Sequence, residues 1–279
     1  MTTIPMAASH PGIRDRTKVR VVVTGKGGVG KTTLTALLAH TCAGQGYSVL
    51  AVDGDPQQNL AATLGLSDDE AAAIVPLAER NDYIAEKTGT GPGSRGLMVL
   101  NPDTADVVER AGMIVDVRLR LLVMGGVKNA GSGCLCPEYS LLASVLRNAC
   151  SLPDEIVLLD TPAGLEHFGR AVAEGFDVAL IVSDSSYNAI TVARDLCRLA
   201  KESGIRERVL VVNRVRGDAR LQRILASAGD SFSRVFTLPD DPCVPRHEPS
   251  VVPLLGSDCP VMAAVKDLAG TIIAERAGS

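Results

Sequence analysis

A glycine-rich segment at residues 25–33 is the part of the sequence best suited to chemistry on a phosphate. It reads Gly-Lys-Gly-Gly-Val-Gly-Lys-Thr-Thr and lies between a valine-rich run at 19–23 and a helical pattern at 33–41. Such a loop presents backbone N–H groups to phosphate oxygens, and the helix after it adds the positive end of its dipole. In the matching G-x-x-x-x-G-K-[ST] pattern, Lys31 reaches the β- and γ-phosphates and the Thr32 hydroxyl binds Mg²⁺. The predicted cradle consists of Gly25, Lys26, Gly27, Gly28, Val29, Gly30, Lys31, Thr32 and Thr33.

Two apolar runs end in aspartates of the kind that bind Mg²⁺ beside a phosphate-binding loop. The run at 47–52 leads into Asp-Gly-Asp-Pro at 53–56, and a second run ends at Asp160. The carboxyl ends of parallel strands form the ligand crevice of an α/β sheet, so these acids are predicted to face the phosphates. An aspartate in the position of Asp160 usually holds Mg²⁺ through water. Asp53 and Asp55, two residues apart, are predicted to point to the same side, with a plain turn as the alternative.

A pair of cysteines, Cys134 and Cys136, forms the second feature with chemical potential. The pair lies in a glycine-rich stretch at 125–139. Two thiolates at this spacing can bind one soft metal ion, whose coordination lowers their pKa. Zinc sites usually need four ligands, and two chains meeting at this stretch would supply four sulfurs. The alternative is that both are ordinary core thiols.

The remaining five cysteines are predicted to be packing residues. The total of seven is odd, and a chain of 279 residues is large enough to fold without disulfides, which argues against a disulfide framework. The predicted packing residues are Cys42, Cys150, Cys197, Cys243 and Cys259.

Asn213 ends a strand pattern at 209–213, and its amide can both donate to and accept from the edge of an adenine base. The run Asn-Arg-Val-Arg that begins there has arginine where a guanine-reading N-K-x-D motif requires aspartate. ATP is therefore predicted rather than GTP, although Asn213 could instead serve only to cap its strand.

The elements that must position these residues alternate along the chain. Helices are predicted after the glycine-rich loop, from Ser67 to about residue 80, and at 188–201 and 261–274. Strands are predicted between them, at 18–24, 47–52, 119–124, 156–160, 178–183, 209–213 and 235–238. Right-handed crossovers between such strands give an α/β fold with a doubly wound, mostly parallel sheet flanked by helices.

Composition and charge limit the classes of function. Hydrophobic residues make up 46% of the chain and aromatic residues only 3%, as suits an aliphatic core around a parallel sheet. The net charge of −4 gives no basic footprint for DNA or an anionic membrane. We expect a flexible arm at 1–17 and a single domain at 18–279. With neither a signal peptide nor a long apolar stretch in the sequence, the expected location is cytoplasmic.

Lys26, directly after the first glycine, has no role in an ordinary phosphate loop. The pattern G-K-G-G-V-G-K-T resembles the deviant Walker A motif of the MinD/ParA/nitrogenase-iron-protein superfamily of P-loop ATPases. This resemblance implies a dimer in which Lys26 reaches the partner's phosphates, much as an arginine finger does. It also implies that Asp55 orients or deprotonates the attacking water, that Asp53 supports the Mg²⁺ shell, and that Pro239 lines the adenine pocket. The alternative for Lys26 is a solvated loop lysine.

The segment V-M-G-G-V-K-N-A-G-S-G-C-L-C-P-E-Y at 123–139, together with the nucleotide motifs, resembles the carbon monoxide dehydrogenase maturation ATPases of the CooC family. The resemblance implies an ATP-dependent homodimer that takes part in nickel insertion into an apo metalloenzyme. It also implies that Cys134 and Cys136 of two subunits hold one nickel or zinc ion between them.

Two other functions remain open at this stage. A positioning ATPase of the ParA or MinD type would need a basic surface or a basic amphipathic terminal helix. The last helix is instead predicted to pack inward through one apolar face, formed by Met262, Val265, Leu268, Ala269 and Ile272. An electron carrier resembling the nitrogenase iron protein would need a cysteine near the second switch, and residues 165–175 contain none.

Overall fold

We describe the fold from a computed structural model. The described residues are 18–90, 99, 102–125, 141, 144–145, 155–163, 175–217, 222 and 231–274. The predicted arm at 1–17 and the predicted metal ligands Cys134 and Cys136 lie outside this set, as does Cys150.

The described residues contain eight strands and eight α-helices. The strands are β1 Val19–Gly25, β2 Ser48–Asp53, β3 Met113–Asp116, β4 Leu119–Val123, β5 Glu155–Asp160, β6 Val178–Ser183, β7 Glu207–Val215 and β8 Arg234–Pro239. The helices are α1 Lys31–Gly44, α2 Leu60–Thr63, α3 Asp68–Ala72, α4 Asn81–Thr88, α5 Val107–Ala111, α6 Tyr187–Glu202, α7 Cys243–His247 and α8 Pro260–Ala274. Two 3₁₀ turns are Leu77–Glu79 and Val252–Leu254.

The strands form one sheet in the order β3-β4-β2-β5-β1-β6-β7-β8. Strands β3 and β4 pair antiparallel, and the other neighbouring strands pair parallel. The chain leaves β1 first towards β2 and later, after β5, towards β6, so the winding reverses beside β1. This confirms the predicted doubly wound, mostly parallel sheet, and it places the ligand crevice at the carboxyl ends of β1 and its neighbours.

The central strands are buried because helices cover both faces of the sheet. Alternate side chains of each strand point to opposite faces, so β5 sends Leu158 into one hydrophobic cluster and Leu159 into the other. The first cluster contains α1 and α8, and the second contains α6. All five predicted apolar residues of the last helix are buried, which confirms that α8 packs inward.

The helix predicted from Ser67 to about residue 80 is shorter than expected. Its start is correct, since the Ser67 and Glu70 side chains form a reciprocal capping box at the beginning of α3. The helix ends at Ala72, however, and Pro76 follows within one turn. Proline has no N–H to donate and its ring excludes the preceding turn, so the chain continues as a 3₁₀ turn and a separate helix, α4.

The prediction that Cys243 and Cys259 are isolated packing residues is wrong. Their sulfurs are joined in a disulfide, with the two Cα atoms 6.5 Å apart. The two cysteines stand near the starts of α7 and α8, and the Asp241 carboxylate draws these starts together by accepting hydrogen bonds from both. Cys42 and Cys197 are buried free thiols, as predicted.

Within the described ranges, no helix combines the length and the apolar composition needed to cross a bilayer.

The burial of β5 predicts a large stability loss when its core side chains are shortened. Leu158 is 1% exposed, so Leu158→Ala should lower the free energy of unfolding by about 3 kcal/mol through lost burial and a residual cavity. The matched control is Val117→Ala on the β3–β4 turn, where the side chain is 95% exposed and the change should stay within about 0.5 kcal/mol. Urea unfolding of both variants measures the difference, and equal losses would contradict the assignment of β5 to the core.

Candidate nucleotide-binding site

The glycine-rich loop joins the end of β1 to the start of α1, at the carboxyl edge of the sheet. Gly28 and Gly30 have φ values of +76° and +94°, in the left-handed region that favours glycine. At Gly25, a side chain would collide with the carbonyl oxygen of Val182 on β6. Gly30 precedes the first residue of α1, so the N-terminus of that helix opens onto the loop. This is the geometry of a phosphate cradle.

Lys31 lies inside the loop rather than at its surface. The residue is 7% exposed, and its Nζ donates to the carbonyl oxygen of Lys26 at 3.2 Å. Burial lowers the pKa of Lys31, while attraction to Asp160 and Asp55 acts in the opposite direction. The ammonium group is therefore positioned among the groups that would surround the phosphates.

Asp53 and Asp160 are brought side by side at the carboxyl ends of β2 and β5, where the two residues are paired in the strand register. Both are almost fully buried. Asp53 accepts hydrogen bonds from the backbone N–H groups of Asp55 and Leu60, each at 3.0 Å. Burial raises the pKa of Asp53 to about 6, against the opposing effect of these hydrogen bonds.

The Asp160 carboxylate has fewer hydrogen-bond partners than the Asp53 carboxylate. Its carboxylate accepts a hydrogen bond from the Thr32 hydroxyl, but Oδ1 is buried and has no hydrogen-bond partner in the structure. Burial raises the pKa of Asp160 to about 7, and the neighbouring charge of Asp53 adds to the increase. A hydroxyl beside a buried carboxylate with an unpartnered oxygen is a set of hard oxygen donors that fits Mg²⁺.

Most of the predicted phosphate-binding residues line one cleft of about 620 Å³, together with Asp55. Asp55 Oδ1 accepts a hydrogen bond from the backbone N–H of Gln57 at 2.9 Å. Lys26 is exposed at the side of the loop. Burial acts to raise the pKa of Asp184, which directly follows β6, but the positive charge of Lys26 is among the effects that lower it. Buried Val29 anchors the loop, since its carbonyl oxygen accepts a hydrogen bond from Asn213. The predicted residues that line the cleft are Gly27, Gly28, Gly30, Lys31, Thr32, Thr33 and Asp55.

A second cavity, of about 270 Å³, adjoins the loop and contains both residues predicted to contact the base, Asn213 and Pro239. The Asn213 Nδ2 donates to the Val29 carbonyl at 2.8 Å, and its Oδ1 accepts from the backbone N–H of Arg214 at 2.9 Å. One N–H and one oxygen lone pair of this amide remain for a base edge. Asn213 thus ties the phosphate loop to β7 in addition to facing the cavity.

Sequence reasoning missed Arg214, which lines both the cleft and the base cavity. Its φ of +54° is unusual for a residue other than glycine, and the register between β7 and β8 shifts at this point. No local sequence pattern predicts this positive φ at Arg214. The only signal in the sequence is that Arg214 directly follows the strand-ending asparagine. The residues of α7 that face the base cavity, Val244 and Pro245, were also missed.

Comparison with known proteins agrees with this geometry. The family model described as the CobQ/CobB/MinD/ParA nucleotide binding domain matches residues 20–249. The carbon monoxide dehydrogenase accessory protein CooC of Rhodospirillum rubrum is 34% identical over 227 residues, covering 81% of this chain and 85% of that protein. An ATP-binding protein of Methanocaldococcus jannaschii is 37% identical over 201 residues, covering 72% of this chain and 76% of that protein.

Among solved structures, the crystal structure of a ParA family ATPase from Chlorobium tepidum has the same fold, with a TM-score of 0.67 and 20% identity. The match covers 91% of this chain and 99% of that chain. The chain therefore belongs to the CobQ/CobB/MinD/ParA family of nucleotide-binding domains and is a homologue of the carbon monoxide dehydrogenase accessory protein CooC.

Proposed function

We propose that this protein is an ATP-dependent maturation ATPase that works as a homodimer and delivers a metal ion, nickel, to an apo metalloenzyme of the carbon monoxide dehydrogenase type. The observation that carries the proposal is one cleft, lined by Lys31 and Thr32 of the phosphate loop and by Asp55, that lies beside buried Asp160. Similarity to CooC over 81% of the chain supports the choice of client.

ATP hydrolysis is assigned to the residues of the cleft. Lys31 would neutralise charge on the β- and γ-phosphates, and Asp55, which is half-buried and faces the cleft, would orient or deprotonate the attacking water. Thr32 and Asp160 would hold Mg²⁺, with Asp53 supporting them, and the bound ion would neutralise developing charge on the phosphate oxygens. Asn213 and Pro239 would bind the adenine in the adjoining cavity.

Dimer formation would complete the site through Lys26. Its side chain is exposed at the edge of the loop, from which it can reach a second subunit, whereas Lys31 is buried within its own loop. ATP would favour the closed dimer, and hydrolysis would open it. Cys134 and Cys136 of both subunits would then converge on one nickel or zinc ion only in the closed state, so that metal affinity follows the nucleotide by linkage.

We propose that this cycle takes place in the cytoplasm. We also propose that neither nucleic acid nor a membrane is a partner. The net charge of −4 supports this proposal because nucleic acids and anionic lipids attract basic surfaces. The inward packing of α8 supports it as well, because the apolar face of that helix is already used within the fold.

The burial of Asp160 predicts a pH-dependent stability of the nucleotide-free protein. Its pKa is about 7 when folded and about 4 in an unfolded chain, so stability present at low pH is lost as the pH rises through about 7. Asp160→Asn cannot ionise, and its melting temperature relative to that of the wild type should be several degrees higher at about pH 8 than at about pH 4, because the loss develops between these two pH values. Thermal unfolding at the two pH values measures this.

The matched control for this experiment is Asp267→Asn on the exposed side of α8, which should show no such dependence. Adding magnesium and ADP should stabilise the wild type more than Asp160→Asn, because the carboxylate then has its cation. A difference in melting temperature that is the same at both pH values would contradict the burial argument.

Replacing Lys26 should separate nucleotide binding from turnover. Lys26→Ala should bind ATP within about threefold of the wild type, because Lys31 and the loop amides remain, but should hydrolyse it at least about 100-fold more slowly. Steady-state ATPase assays and sedimentation velocity with a non-hydrolysable ATP analogue test both parts. Lys266→Ala, an exposed lysine of α8, is the control for loss of a surface charge. A fully active Lys26→Ala monomer would rule out the contribution in trans.

The shared metal site predicts a fractional stoichiometry. The ATP-bound wild type should hold about 0.5 ion per chain, because four sulfurs from two chains complete one coordination shell. Cys134→Ser should remove this metal while leaving nucleotide affinity measured in metal-free buffer unchanged, and the buried-thiol control Cys42→Ala should retain the metal. Elemental analysis of the protein after gel filtration with ATP gives the ratio, and full metal retention by Cys134→Ser would refute the assignment.

A further inference from the structure

We propose that Cys243 and Cys259 form a thiol–disulfide modification site that sets the affinity of the base cavity for its nucleotide. Closing the bond holds the outer wall of the cavity in place, and opening it loosens that wall. This inference rests on the proposed binding of adenine in that cavity.

The disulfide connects two helices because each cysteine lies at the start of one of them. Cys243 is the first residue of α7, and Cys259 directly precedes α8. The cysteines are 16 residues apart in sequence, and the disulfide joins them. The bond therefore fixes the start of a short helix to the start of the long terminal helix that packs against α1.

Both helices contribute side chains to the base cavity. Val244 and Pro245 of α7 lie on one side, and Val261 of α8 completes the wall beside them. Each of these residues is within two positions of a bonded cysteine. The covalent bond thus connects two parts of the same wall, and neither part can move outward without the other.

The Asp241 carboxylate makes a second, weaker connection between the same two helices. Its Oδ1 accepts from the backbone N–H of Cys243 at 2.9 Å, and its Oδ2 accepts from that of Val261 at 3.0 Å. Asp241 is 6% exposed, so this bridge is shielded from water. After reduction it would be the remaining bridge of the two, and five-residue α7 is too short to hold its shape without such contacts.

A loosened wall binds a base less tightly because it must be ordered when the base enters. Segments that are already held in the binding conformation avoid that entropic cost, which is the general advantage of preorganisation. The affinity of the oxidised protein for adenine nucleotides should therefore exceed that of the reduced protein, while the phosphate loop on the other side of the nucleotide is unchanged.

The chemical setting of this pair differs from that of the other described cysteines. Cys243 and Cys259 are only partly buried, and we expect small thiols to reach them. Cys42 is buried, and burial raises the pKa of its thiol to about 12, which suppresses the reactive thiolate. Burial also raises the pKa of Cys197, whose Sγ donates to the carbonyl oxygen of Ser231.

The oxidant that we assign to this site is a small-molecule disulfide of the glutathione class. One cysteine thiolate attacks the small disulfide, forming a mixed disulfide and releasing one thiolate. The second cysteine thiolate then attacks the protein sulfur of the mixed disulfide and releases the other. Two electrons pass from the protein to the small disulfide, and the two protons of the cysteine thiols appear on two small thiols.

A metal site at the same place is less favoured by the contacts. The ligand atoms of Asp241, Cys243 and Cys259 lie within 4.8 Å of one another, close enough to share an ion after reduction. Both oxygens of Asp241, however, already accept buried backbone hydrogen bonds. This leaves two thiolates as the ligands free of competing contacts, and soft-metal sites generally require more.

The test measures binding of a fluorescent ADP analogue to the full chain in two glutathione buffers, one fully reduced and one oxidised. The wild type should bind about 3–10-fold more tightly in the oxidised buffer. Cys259→Ser should give one affinity in both buffers, equal to that of the reduced wild type, although every other cysteine is still present. Cys42→Ala should keep the full response.

Peptide mapping without reductant identifies the bond directly. The proposal is overturned if the oxidised wild type contains no Cys243–Cys259 peptide pair, or if the bond forms and the affinities are equal. It is also overturned if the reduced wild type takes up zinc that Cys259→Ser does not. The placement of the base is tested separately: if Asn213→Ala leaves the affinity unchanged, that placement fails, whereas sensitivity to Asn213→Ala without sensitivity to the buffer refutes only the disulfide effect.

Discussion

A buried lysine and two buried aspartates meet at the carboxyl ends of β1, β2 and β5, and the architecture of the site depends on keeping these charges together away from water. Transfer of an isolated charge into a protein interior is strongly unfavourable, so such groups persist only when other charges and hydrogen bonds surround them. Asp53 meets this condition through two backbone N–H groups. Asp160 meets it only in part, because one oxygen lacks a partner in the structure. This incomplete set of partners is one reason why we propose that Asp160 takes part in ligand binding.

The strand register explains why these charges converge. Asp160 is paired with Val23 on β1 and with Asp53 on β2, so the glycine-rich loop that follows β1 arches directly over both acids. The loop is held from the other side by the hydrogen bond between Asn213 and the Val29 carbonyl. A side chain at Gly30 would collide with the Asn213 amide, which makes glycine necessary there for packing as well as for its φ. The loop is thus fixed between β5 and β7.

How far the sequence predicts this molecule depends on whether each feature is local. The phosphate loop and the aspartates at strand ends are local patterns, since a few neighbouring residues determine both the backbone shape and the chemistry. The parallel sheet follows from strands and helices that alternate along the chain. The end of α3 at Ala72 was missed because the capping box at Ser67 gave a strong start, while the stop depended on Pro76 and the packing of the turn after it.

The contacts that sequence reasoning could not supply join segments far apart in the chain or depend on a rare backbone angle. Nothing near Cys243 indicates that Cys259 lies beside it, because the approach is created by the Asp241 carboxylate and by the docking of α8. Arg214 reaches both cavities only because its backbone turns through a positive φ at the end of β7. The roles of Cys134 and Cys136 rest on family resemblance and a proposed second subunit.

The two ends of the nucleotide site are built from different parts of the fold, and this separates affinity from chemistry. The phosphate cleft belongs to β1, β2 and β5 at the centre of the sheet, whereas much of the base cavity belongs to β8, α7 and α8 at the end of the chain. Contacts to a base are the same before and during phosphate transfer, so they alter binding without altering the barrier to hydrolysis. In the proposed reaction, contacts from Lys31, Asp55 and Asp160 would act where charge develops and would determine the barrier. Under the proposed function, late segments of the chain would therefore regulate how long a nucleotide stays bound, while the buried charges under the loop remain undisturbed.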